Sequence, residues 1–168
     1  MAETKECESP EIRIAQDGTW YFRNIEMTRT DIIHYFYQHL YRDPQGGYHI
    51  KTDKEQCLIR VDDVPFIIEG IDLQLKDADG QACMMIQLSD GTCEELQPDT
   101  LWIGNNNVIY CRIKKSEHAA RFSRKAYYQL AKYVEDDGNL NRYSITIGNI
   151  SYPLNEKQMN GNGGNHVR

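Results

Sequence analysis

The stretch Ile67-Ile68-Glu69-Gly70-Ile71-Asp72-Leu73-Gln74-Leu75-Lys76 decides the fold class of this chain. Ile67, Ile71, Leu73 and Leu75 fall on one parity, and Asp72, Gln74 and Lys76 on the other. Successive side chains of a strand point to opposite faces, so the pattern predicts a sheet strand with one buried and one wet face. Pro65 interrupts the chain just before it, and Asp79-Gly80 turns the chain after it. Met84 to Leu88 reads as the returning strand, and Asp90-Gly91 turns the chain again.

Towards the N-terminus, Ile12-Arg13-Ile14 alternates as a strand, Asp17-Gly18 marks a tight turn, and Thr19-Trp20-Tyr21-Phe22 is rich in strand formers. Thr28-Arg29-Thr30-Asp31 is a helix-start pattern, and Ile33, Phe36 and Leu40 recur at helical spacing, with Ile32 and Tyr37 beside them. Asp43-Pro44-Gln45-Gly46-Gly47 is expected to end that helix, because proline cannot continue it. Tyr48 to Lys51 and Leu58 to Val61 read as two strands.

Towards the C-terminus, Gly104-Asn105-Asn106-Asn107 is a loop and Val108 to Ile113 a strand. A second helix is expected from Ser123 to Glu135, with Ser123 as cap and Tyr127, Leu130 and Val134 as its apolar stripe. Asp136-Asp137-Gly138 stops it. Gly148-Asn149 between Ser144–Ile147 and Ile150–Tyr152 is a hairpin signal. Residues 1–11 are expected to be a mobile N-terminus, and the Gly/Asn-rich residues 155–168 a disordered tail.

The order helix, turn, hairpin occurs twice. Tyr37-Gln38 matches Tyr128-Gln129, and Tyr48-His49-Ile50 resembles Tyr143-Ser144-Ile145. An internal duplication and a chance recurrence both fit this much. The expected architecture is α+β, with two similar subdomains over residues 12–76 and 77–154, each a mainly antiparallel sheet packed against one helix.

The chain has 168 residues and a formal net charge of −6, which argues against a general polyanion binder and hence against nucleic acid as partner. No stretch approaches the roughly 20 apolar residues that span a bilayer, and the acidic start Met-Ala-Glu-Thr-Lys-Glu-Cys-Glu lacks the apolar run of a secretory signal. Together these predict a cytoplasmic protein without a membrane partner. Cys7, Cys57, Cys83, Cys93 and Cys111 form no C-x-x-C pair, so reduced and mostly buried thiols are expected. Cys83 and Cys93 flank a turn and could face each other across a hairpin. His34 and His39 are five apart and do not share a helix face as a zinc pair would, and no metal or cofactor is expected. No G-x-S-x-G, P-loop, G-x-G-x-x-G or H-E-x-x-H occurs, so the chain leans away from enzymes.

The segment Arg112 to Lys125 is the most distinctive in chemistry, with six Lys and Arg in a net-acidic chain. It runs into the second helix start, where free backbone N–H groups favour anions. One reading makes Arg112, Lys115, Arg121, Ser123, Arg124 and Tyr128 a site for a phosphate or carboxylate. The plainer reading makes the segment a solvated connector whose arginines pair with acids such as Glu117. His39, Tyr41 and Arg42, placed on the first helix, could form a partner surface, and an open sheet edge a homodimer contact.

Several strings taken together resemble a bacterial family known as domain of unknown function 1285. They are Asp17-Gly18-Thr19-Trp20, Gly47-Tyr48, Glu55 and Val61-Asp62-Asp63-Val64-Pro65-Phe66, then Ala120-Arg121-Phe122-Ser123-Arg124 with Tyr127-Tyr128-Gln129-Leu130, and Tyr152-Pro153-Leu154. The family usually reads Thr-Pro before its glutamate and Pro after the second arginine. Here Thr52-Asp53 and Lys125 stand instead, which marks a divergent member. The resemblance implies a two-part α+β fold of repeated motifs and a signalling or ligand-sensing role, with no established activity. Carried over by position, Asp17, Trp20, Glu55, Asp63, Pro65, Arg121, Arg124 and Tyr128 are the family-type residues, and Trp20 and Pro65 are expected to be structural.

The function expected is therefore a binding or signalling module for a small anionic ligand or an acidic protein partner. Two other readings remain: an enzyme of unfamiliar chemistry, which needs Glu55, Asp63 and the arginines in one concavity, and a structural or oligomeric interaction protein.

Overall fold

The computed structural model describes residues 10–76, 78–136, 138 and 142–156. The expectations for residues 1–9 and 157–168, and for Asp137 in the helix stop, lie outside them.

Six strands form the first sheet: β1 (Ile12–Ile14), β2 (Trp20–Phe22), β3 (Ile25–Glu26), β4 (Leu40–Arg42), β5 (Tyr48–Lys51) and β6 (Gln56–Val61), with helix α1 (Thr30–Gln38) between β3 and β4 in sequence. Nine form the second: β7 (Phe66–Leu75), β8 (Ala82–Leu88), β9 (Cys93–Glu95), β10 (Trp102–Ile103), β11 (Ile109–Ile113), β12 (His118–Phe122), β13 (Val134–Asp136), β14 (Tyr143–Ile147) and β15 (Ile150–Glu156), with helix α2 (Arg124–Ala131) between β12 and β13. The result is an α+β fold with two sheet-rich parts.

One topology is used twice. The first sheet runs β4-β5-β6-β1-β2-β3, and the second opens β13-β14-β15-β10-β11-β12. In each, three strands, a helix and three strands follow in sequence, and the first strand of the unit pairs in parallel with the last: β1 with β6, β10 with β15. The registers agree residue by residue. Leu40 pairs with Ile50 as Val134 pairs with Ile145, and Tyr48 with Ile59 as Tyr143 with Leu154. The likeness of Tyr48-His49-Ile50 to Tyr143-Ser144-Ile145 thus falls on equivalent positions. The helix match does not. Ile33 N bonds Arg29 O as Tyr127 N bonds Ser123 O, and His39 N bonds Phe36 O as Tyr133 N bonds Leu130 O. These bonds align Phe36 with Leu130, which sets Tyr37 beside Ala131 rather than Tyr128.

Both helices are shorter than their apolar spacing suggests. Leu40 and Val134 continue the helical stripes, yet each opens a strand. Lys51 N donates to His39 O, and Thr146 N to Tyr133 O, so the neighbouring strand draws the chain out of the helix just after its last turn. Tyr41 and Arg42 consequently lie on β4, and His39 is the helix cap. Val134 and Glu135 lie on β13.

The strand read first, β7, pairs with β8 and β12 and so belongs to the second sheet, although a division at residue 76 would place it in the first part. Its alternation is broken by a bulge at Ile68/Gly70. Phe66, Ile67 and Ile68 are all buried, while Leu73 and Leu75 are exposed. The buried half lies between β12 and α2, with Ile71 N donating to Gln129 Oε1, and the last residues run past that cover. At the other end, β15 continues to Glu156, because Asn155 and Glu156 pair with Trp102 and Ile103. Cys83 and Cys93 do not face each other: Cys83 pairs with Gln74 and Cys93 with Gln87. Cys93 is exposed and Cys57 half-buried, so among the described cysteines only Cys83 and Cys111 fit the expectation of buried thiols.

The buried side chains of both sheets form one contiguous core, from Ile14 and Trp20 through Ile68 and Leu88 to Leu130 and Ile145. Tyr37 of α1 carries the join. Its ring meets Trp20 edge-on at 5.0 Å and stacks on Phe66 at 4.9 Å. Its hydroxyl donates to Pro65 O at 3.0 Å and lies 2.9 Å from Ser89 Oγ, which in turn accepts from Ile67 N. Trp20 and Pro65 are fully buried, in line with structural roles.

Candidate functional site

Helix α2 begins where β12 leaves the second sheet. Ser123 is its cap: the hydroxyl accepts from Ala126 N at 3.1 Å, and the Ser123 N–H donates to Ile68 O at 3.0 Å. The strand thus delivers Arg121 and Arg124 to either side of a cap anchored on β7. The amides of Arg124 and Lys125 come before the first bond to the cap.

The two arginines divide the two readings between them. Arg121 Nη1 lies 3.0 Å from Asp63 Oδ2, and the Tyr110 hydroxyl donates to the same oxygen at 2.9 Å. Asp63 stands on the connection between the sheets, so this group ties that connection to β11 and β12. The acid that pairs Arg121 is therefore Asp63, not Glu117. Burial, then the bond to Asp63, raise the Tyr110 phenol above its ordinary pKa, so it remains a donor. Arg124 has no ion pair among the described residues.

Both arginines line a cleft of about 590 Å³ with Gln16 and Asp17 of the first sheet's turn, Asn106, Asn107, Ser123 and Tyr127. Asp17 brings a negative charge to it; the Thr19 backbone N–H, bonded to its carboxylate at 3.0 Å, holds its pKa below the ordinary range. Asn106 and Asn107 take positive φ of 57° and 58°, a conformation asparagine tolerates better than most residues. The lining thus offers a guanidinium, amides and a carboxylate around one opening.

The remaining residues singled out from the sequence are dispersed. Lys115 lies at the β11–β12 turn, where Lys114, Lys115 and Ser116 all have positive φ. Tyr128 is exposed, its ring edge-on to Tyr127. Arg112 projects over Trp102, Cζ 5.5 Å from the ring centroid, and lines a different cleft. Glu55 is exposed in the turn closed by Thr52 N and Glu55 O, and neither it nor Asp63 lines the cleft of Arg121 and Arg124. Gln16, Asn106, Asn107 and Tyr127 were missed as site residues. The loop Gly104–Asn107 was visible in sequence, but its approach to the Asp17 turn depends on how the sheets meet. Among the described residues no group of three or more His, Cys, Asp or Glu is placed to hold a metal, and no helix is long and apolar enough to cross a membrane.

A repeated strand–helix–strand unit, a shared core and a polar cleft at the second helix start define the class: a two-sheet α+β protein with a candidate binding cleft. Residues 3–64 are similar to the family described as a domain of unknown function (DUF1285), N-terminal domain, in agreement with the motifs. Two solved structures share the fold. A DUF1285 family protein from Silicibacter pomeroyi DSS-3 is similar at TM-score 0.71 and 20% identity, over 87% of this chain and 80% of that one. One from Shewanella baltica OS155 is similar at TM-score 0.61 and 17% identity, over 74% of this chain and 93% of that one. No curated protein matches the chain.

Proposed function

We propose that the protein is a cytoplasmic binding module for a small ligand carrying an anionic group, held in the cleft at the start of α2. The observation that carries the reading is Arg124: a guanidinium without a carboxylate partner among the described residues, set beside two helix-start amides on a cleft of about 590 Å³. Arg124 can grip the anion with a planar fork, and the amides of Arg124 and Lys125 can add bonds along the helix axis. Asp17 favours a ligand that also bears a hydroxyl or ammonium donor, because a bare anion would meet repulsion there. Arg121 acts as a positioning residue, keeping β12 and the inter-sheet connection in register through Asp63.

In this reading each subdomain is one strand–helix–strand unit with its own helix, and the division falls in the connection at residues 62–65. Asp17 comes from the first unit and Arg124 from the second, so a ligand reports on their relative placement, as a signalling module requires.

The test is thermal unfolding against a panel of phosphates, carboxylates and amino-acid-like anions. A ligand at one hundred times its dissociation constant stabilises by about 2.7 kcal/mol, which for a chain of this size raises Tm by about 5–10 °C. Arg124→Ala should remove that shift while leaving the unliganded Tm within a degree or two. A wild type that responds to no anion of the panel overturns the reading.

A further inference from the structure

A second cleft, of about 460 Å³, opens between β4–β6 of the first sheet and the β10–β12 face of the second. Arg42 comes to it from the end of β4 and Arg112 from the middle of β11. Each guanidinium is laid over an aromatic ring: Arg42 over Tyr48 at 5.7 Å from the centroid, Arg112 over Trp102 at 5.5 Å. Ring faces attract cations and hold a guanidinium flat, leaving its N–H edge free for other partners. Trp102 is itself braced by Tyr110, with ring centroids 5.3 Å apart and planes 11° from parallel.

Neither guanidinium forms an ion pair among the described residues, in contrast to Arg13, Arg23, Arg29, Arg60 and Arg121. The one acid of the lining, Asp63, already gives its Oδ2 to Arg121 and Tyr110. Both positive charges act on the Tyr48 phenol, opposing the rise that burial gives its pKa, so they converge on one region from two sheets. In a chain of net charge −6, two unpaired cations facing one cleft are unfavourable to each other and available to an anion.

We propose that Arg42 and Arg112 form a second site, distinct from the α2 cleft, that grips the phosphate or carboxylate group of a small metabolite between the two sheets. The ring-held forks supply charge-assisted bonds from opposite walls, and the bound oxyanion replaces mutual repulsion by a bridge. The site does not depend on the reading given to Arg124.

The test uses the indole N–H signals of the two tryptophans. Trp20 is buried in the core and reports that the fold is intact, whereas Trp102 lies beneath Arg112. Titration with inorganic phosphate and, separately, with malonate should shift the Trp102 signal saturably in at least one arm, and the responding arm distinguishes phosphate from carboxylate. Arg42→Ala, which removes the guanidinium over Tyr48, should weaken that binding by at least about tenfold, as expected for loss of a charge-assisted contact. Arg112→Ala should do the same, and Arg124→Ala should leave the affinity unchanged. The proposal is overturned if neither anion shifts the signal saturably, if sodium chloride at equal ionic strength shifts it equally, or if only Arg124→Ala removes the response.

Discussion

His118 is the one buried charged or polar side chain of the described core, and its Nδ1 has no hydrogen-bond partner. Its ring lies against Phe66 at 5.2 Å and Tyr48 at 6.5 Å. Burial lowers its pKa below the ordinary 6.5; Glu117 works against that, and Arg42 and Lys114 add to it. The sign of the consequence follows from linkage. The unfolded chain takes up the proton near 6.5 and the native state only at lower pH. Stability from this residue is therefore fully present above 6.5 and is lost as pH falls from 6.5 through the native pKa. Urea unfolding between pH 7.5 and pH 5, values chosen about a unit or more either side of the ordinary histidine pKa, should show a declining free energy in the wild type and a flatter profile in His118→Phe. Equal slopes in the two proteins would contradict the assignment.

At the scale of elements, the Asp17-Gly18 turn packs closely on β7. Gly18 has φ of 87°, and a Cβ on it would lie 2.4 Å from Ile67 Cγ1. Glycine is required there twice over, for the left-handed turn and for the contact. Gly18→Ala should cost about 2–4 kcal/mol from backbone strain and overpacking together, read as a lower urea midpoint at unchanged slope. In the double variant with Ile67→Ala the two losses should be less than additive; full additivity would place the turn elsewhere.

The elements also show how far the sequence reaches. Asp17-Gly18, Asp79-Gly80, Asp90-Gly91 and Gly148-Asn149 were legible as turns because their backbone demands are local. The ends of the helices were not. Leu40 and Val134 sit at helical spacing, and only pairing with Ile50 and Ile145, about ten residues on, moves them into strands. The exposure of Leu73 and Leu75 has the same origin: alternation assigns a face, but cover comes from another part of the chain. For the candidate site, Ser123 as cap and Arg124 beside it could be read from the helix-start pattern, but not that Arg124 lacks an ion pair among the described residues. The pairing of Arg121 with Asp63 and the contribution of Asp17 could not, because each joins residues brought together only by the contact of two sheets.

The whole molecule is two copies of one topology with an added three-stranded edge, β7-β8-β9, extending the second. The weak repeat in the sequence is strong in hydrogen-bond register, since Ile50, Ile59, Ile145 and Leu154 keep equivalent pairings and are all buried. The repeated topology places two sheet-rich parts against one core, and both candidate sites take residues from both parts. The acidic composition makes Arg42, Arg112 and Arg124, without ion pairs among the described residues, more distinctive, because a chain with 25 acidic side chains and 19 lysines and arginines has acids to spare for pairing.

The most direct measurement of anion binding at the helix start is a titration with the best-stabilising anion of the thermal panel, following the backbone amide signals of Arg124 and Lys125. Binding at this cleft predicts saturable shifts of both amides that persist in Arg42→Ala and disappear in Arg124→Ala. Amides that stay in place, or that move equally with sodium chloride at matched ionic strength, would contradict it.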